Sequence, residues 1–73
     1  MEYRKNIINS SCCEWYRIGV YADITVILQI EKRYYTTFSK FDAKYLSKFP
    51  LCDKSEFENV KNELIKQLNA EQI

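Results

Sequence analysis

A change of hydrophobic period near Phe38 restricts this chain more than any other feature. Ahead of it, Tyr16, Ile18 and Val20 alternate with Trp15, Arg17 and Tyr21, the period of two that marks a strand. The run "ITVILQIEK" repeats the pattern, with Ile24, Val26, Leu28 and Ile30 facing one way in a β-branched context. Trp15–Tyr21 is therefore expected to pair antiparallel with Ile24–Lys32 across Ala22-Asp23, although that dipeptide is not a favoured hairpin turn. Residues 1–12, with "EYRKNIIN", supply an edge strand or a flexible arm.

Beyond Phe38 the apolar residues recur at steps of three and four. Phe38, Phe41, Tyr45 and Phe49 form one stripe with Leu46 beside them, while Lys40, Lys44 and Lys48 share another face. The pattern predicts a helix over Ser39–Phe49, closed by Pro50 because the residue before proline avoids helical angles. Ser55 and Glu58 have capping-box spacing and open a second predicted helix, Glu56–Asn69, with Phe57, Val60, Leu64 and Leu68 on one stripe. The expected fold is α+β: a small antiparallel sheet of two to three strands followed by two helices packed on one face. Residues 1–73 form a single compact domain in this reading, and the core draws on Ile18, Val20, Val26 and Leu28 with the two helical stripes.

Eleven basic and ten acidic residues leave a net charge of +1, which argues against a nucleic-acid partner, since such proteins carry a basic excess or patch. No apolar run approaches the ~18 residues of a membrane span, so the expected location is cytoplasmic. Three cysteines, Cys12, Cys13 and Cys52, stand without any histidine, which falls short of the four ligands of a structural zinc site. The thiols are expected to be free, and no metal or other cofactor is expected. Catalysis is not expected either: there is no histidine, no nucleophile motif, and Gly19 is the only glycine from which to build a phosphate loop.

One stretch carries a family likeness. "RYYTTF" followed by "SKFDAKYLSKFP" resembles the phox-homology (PX) domain of sorting nexins, in which a basic pair, an aromatic and a phenylalanine precede a helix ending in Phe-Pro. With Phe38 placed on the family's phenylalanine, Phe49-Pro50 falls on its Phe-Pro without a gap, and "DKSEFENVKNELIKQL" resembles a later helix of that domain. The resemblance runs from Tyr16 to Leu68 and implies phosphoinositide binding, most often of phosphatidylinositol 3-phosphate, at the surface of endosomal membranes. The ligand-binding candidates are Arg33, Tyr34, Tyr35, Lys54 and Lys61: by that likeness Tyr35 faces the inositol ring, Arg33 donates to a phosphate, and Lys54 and Lys61 are auxiliary cations. The position that the family gives to its phosphate arginine holds Tyr34, one residue after Arg33, and the family's proline-rich loop is missing between Pro50 and Ser55. Weak lipid affinity is the corresponding expectation.

A different class of function stays open beside it. Six tyrosines, four phenylalanines and one tryptophan exceed what one small core needs, and exposed Tyr, Trp and Arg are the residues that protein interfaces favour. A small protein-interaction or inhibitor domain of the phage or mobile-element kind, with a protein partner or a second copy of itself, fits this composition equally.

Overall fold

The computed structural model describes residues 1–21, 23–38 and 43–71, with the side chains at 37, 38 and 43 outside the description. Four strands, β1 (Glu2–Asn9), β2 (Cys12–Ile18), β3 (Ile24–Ile30) and β4 (Arg33–Phe38), form an antiparallel meander in the order β1-β2-β3-β4. A single helical turn, α1 (Ala43–Leu46), and one main helix, α2 (Lys54–Glu71), follow. The sequence-based fold class is thus corrected in two respects. The sheet gains a fourth strand, and in place of two helices on one face there is one main helix on one face and a one-turn helix on the other.

The N-terminal segment is a full strand rather than an arm, running from Glu2↔Ile18 to Ile7↔Cys13 against β2. The register shifts between Ile7 and Asn9, a bulge that bends the strand just before the two-residue turn at Ser10 and Ser11. β2 begins earlier than expected and ends at Ile18, because Gly19 and Asp23 close a longer loop: the Gly19 amide donates to the Asp23 carbonyl at 2.8 Å. A β-carbon on Gly19 would lie 2.2 Å from Asp23 Oδ1, so a larger residue there requires the exposed Asp23 carboxylate to turn aside. Val20 and Tyr21, expected in a strand, sit in that loop and are 83% and 92% exposed.

β3 and β4 join through the two-residue turn Glu31-Lys32, flanked by the Ile30↔Arg33 pair. Glu31 has φ 57°, a left-handed angle that a side chain with a β-carbon resists. Its amide donates to the Ser11 carbonyl at 2.7 Å, which ties this turn to the neighbouring β1-β2 turn and holds the angle in place. Glu31→Gly keeps that amide and relieves the backbone, so it is expected to raise stability by about 1 kcal/mol, or roughly 4–8 °C in Tm for a domain of this size. A lower Tm in differential scanning calorimetry would show that the Glu31 side chain holds a contact of its own.

Alternation along the strands divides the core into two layers. On one face Tyr3, Trp15 and Ile27 meet Phe57, Val60 and Leu64 of α2, with Cys13, Tyr34 and Cys52 packed at the rim. On the other, Tyr16, Ile18, Ile24 and Val26 surround Leu46 of α1, and Phe49 stacks on Tyr16 with ring centroids 5.6 Å apart. Between the layers the chain passes the outer edge of β1, where the Lys5 amide donates to the Pro50 carbonyl and the Cys52 amide to the Tyr3 carbonyl, both at 3.0 Å. The Arg4 guanidinium donates to the Ser47 and Phe49 carbonyls at 3.0 and 2.5 Å and pins the α1 layer to β1. α2 then crosses the first face and reaches β4.

Among the expected core residues, Ile18, Val26, Phe57, Val60 and Leu64 are buried. Val20, Tyr45 and Leu68 are exposed, and Leu28 and Phe49 are half-buried. The expected places of Phe41 and Lys40, and of the Phe38 side chain, lie outside the described residues. The first predicted helix shrinks to Ala43–Leu46 among the described residues, and the turn closes when the Phe49 amide donates to the Leu46 carbonyl ahead of Pro50. The start of α2 also moves: the Phe57 amide bonds the Asp53 carbonyl, which puts Asp53 rather than Ser55 at the cap position.

Candidate functional site

β4 places the residues of the quoted stretch. Arg33 and Tyr35 alternate onto the face that α1 partly covers, while Tyr34 between them turns to the α2 face. The register through Arg33, Tyr34 and Tyr35 is regular, so no bulge re-aims any of them. Tyr34 is fixed by α2: its amide donates to Gln67 Oε1 at 2.8 Å, and Gln67 Nε2 donates to its carbonyl at 2.9 Å. It is a packing residue at the rim of the α2 layer.

Arg33 pairs with Glu71 near the end of α2. The Glu71 charge foremost, then a hydrogen bond with Tyr35, raises the Arg33 guanidinium above its ordinary value. Lys54 lies at the opposite end of the same 18-residue helix, about 25 Å along its axis from Glu71. Lys61 points its ammonium at Glu58, 3.3 Å away. The structure therefore brings Arg33 and Tyr35 together and leaves Lys54 and Lys61 apart from them. Lys32, Ser10 and Ser11, which the sequence did not single out, share a shallow depression with Arg33 and Tyr35. Only the contact between the two turns puts them there, and no local signal announces it.

The α1 layer stops at the Tyr16↔Val26 pair. One register step further, Glu14, Leu28 and Tyr35 form a cross-strand row, and the next row holds Cys12, Ile30 and Arg33. Ile30 and Tyr35 are each 45% exposed and Leu28 is half-buried, so among the described residues the α1 layer does not cover the end of the sheet nearest the two turns. Tyr16, at the boundary, is pushed upward from the ordinary tyrosine range by burial first and by Glu14 second. It stays neutral.

Thiol chemistry is muted. All three cysteines are free, and burial pushes the Cys13 thiol up and Cys52 up to about 11, so both remain protonated at neutral pH and are poor nucleophiles. Among the described residues no group of three or more Cys, Asp or Glu is placed to hold a metal ion. No helix among them is long and apolar enough to cross a membrane. Comparison of the chain with protein-family models, with characterised proteins and with solved structures finds no match.

Proposed function

We propose that this chain is a non-catalytic binding module that engages a partner protein through the uncovered end of its α1 face, centred on Tyr35. The observation that carries this reading is the early stop of the α1 layer, which leaves Leu28, Ile30 and Tyr35 as one apolar row-and-column on a rigid sheet. Tyrosine on a strand contributes broad contact area at little conformational cost, and Arg33 beside it adds a planar donor of the kind interfaces favour. Glu14 on one flank and Lys32 with Arg33 on the other give the patch a charged rim.

A second reading has its own support. Arg33, Tyr35, Lys32, Ser10 and Ser11 line one depression with Ile30 and Glu31, and the Lys32 ammonium beside Arg33, unpaired among the described residues, keeps the PX-like phosphoinositide function, at endosomal membranes, as a proposal. One experiment separates the two. The full chain carrying photoreactive benzoylphenylalanine at Tyr35 is irradiated in its host cells, and the wild type is sedimented with vesicles containing phosphatidylinositol 3-phosphate. A discrete protein adduct that disappears with Ile30→Asp supports the protein partner. Adducts no different from those formed at the exposed Asn69, together with vesicle binding that Arg33→Glu abolishes, transfer the function to lipid.

A further inference from the structure

The outer edge of β4 already holds an amide at one position. The Tyr34 N–H donates to Gln67 Oε1 and the Tyr34 carbonyl accepts from Gln67 Nε2, the reciprocal pair of bonds by which one antiparallel strand meets another. Alternate residues of a strand aim their backbone groups to the same side, so Thr36 presents its N–H and C=O to that edge as well. No described residue bonds the Thr36 backbone from outside the sheet, and Thr36 is exposed. Beside it a groove of about 310 Å³ separates β4 from the last turns of α2, walled by Leu64 and by Leu68, which is 44% exposed.

Unpaired strand backbone calls for another extended chain, and the charges along β4 select which. Sheet edges that stay single carry charged side chains or proline. β1 follows that rule, with Arg4 and Lys5 beside its Pro50–Cys52 cover. β4 does not: from Tyr34 to Phe38 it holds neither a charge nor a proline. Antiparallel pairing of this edge with its own copy about Thr36 sets threonine against threonine, a favourable cross-strand pair, and keeps the two Arg33 residues about 20 Å apart at opposite ends. No like charges are opposed along the strand. We infer that the β4 edge is the contact between two copies of this chain, which join their four-stranded sheets into one antiparallel sheet, with Gln67 holding the partner's place in the monomer. Two bonds at Thr36 alone make a poor pair, and the bonds at Tyr34 form as Gln67 withdraws with the end of α2. The contact is separate from the Tyr35 patch, and it sets two such patches on one face of the joined sheet.

Sedimentation velocity of the full chain over a wide concentration range tests this. The wild type should show a concentration-dependent dimer, and Gln67→Ala should tighten it by about tenfold, because the Tyr34 bonds no longer have an internal competitor. Thr36→Lys and Thr36→Glu each oppose two like charges at the two-fold axis and should be monomeric, with circular dichroism showing that both remain folded. An equimolar mixture of the two opposes unlike charges and should dimerise again. Wild type and Gln67→Ala that are both monomeric at every concentration would overturn the proposal. Dimerisation undiminished in Thr36→Lys, or a mixture of the two Thr36 variants no more associated than either alone, places any contact elsewhere and overturns it equally.

Discussion

Truncating Phe57 to alanine is expected to lower the free energy of unfolding by about 3–5 kcal/mol. Phe57 is fully buried in the first turn of α2, its ring tilted against Tyr3 with centroids 5.4 Å apart and capped by the Arg17 guanidinium at 5.9 Å. The substitution removes the ring, leaves a cavity between helix and sheet, and strips Arg17 of the surface on which it lies. Since domains of this kind have only about 5–15 kcal/mol in total, the variant should be close to its unfolding midpoint at physiological temperature. Urea denaturation followed by far-ultraviolet circular dichroism measures it. A cost below about 1 kcal/mol would mean that α2 is not seated on the sheet through this residue.

Leu46→Ala tests the other layer, with an expected cost of about 2–5 kcal/mol. Leu46 is fully buried, yet α1 is a single turn, and its further anchors are the Phe49 ring on Tyr16 and the Arg4 bonds to two carbonyls. So short a helix has no stability of its own, and its order comes from packing. Native-state hydrogen exchange should therefore show protection lost first at the Lys5 and Cys52 amides, which bind the Pro50–Cys52 passage, before the central β2 and β3 amides are affected. Uniform loss across all four strands would show that the α1 layer is inseparable from the sheet.

Both hairpin strands nearest the centre were legible because their alternation is strong, and the stripe of α2 was legible because Phe57, Val60 and Leu64 repeat at helical steps. The fourth strand was not. Tyr34-Tyr35-Thr36-Thr37-Phe38 has the aromatic and β-branched content of a strand, but Glu31-Lys32 is not a turn dipeptide, so the hairpin left no mark. Phe38 moreover fits the three- and four-residue spacing of the segment after it, which drew the strand's end into a helix. The two-sided cover did leave a signal: Trp15 and Tyr16 are adjacent and both large, and "ITVILQI" is almost continuously apolar, as a strand buried on both faces requires. Of the candidate site, Arg33 and Tyr35 were grouped by the family likeness, whereas their alternation onto one face belongs to the strand that the sequence did not reveal. Their neighbours Lys32, Ser10 and Ser11, and the attachment of Glu71 and Gln67, depend on tertiary approach that no local pattern encodes.

The Gln67 side chain is chemically a peptide group, and it occupies the outer edge of β4 as a neighbouring strand would. Pro50–Cys52 does the same for the outer edge of β1 with real backbone. Sheet edges left open are templates on which other chains polymerise. Here part of each is closed by the same stretch of chain, one just before α2 and one near its end. Detachment of that helix uncovers the β4 edge without any strand having to unfold, while Pro50–Cys52, held by its own bonds to β1, keeps the other edge covered. Access of another chain to the whole length of the β4 edge is accordingly set by how often α2 lifts, a local opening that leaves the sheet itself intact.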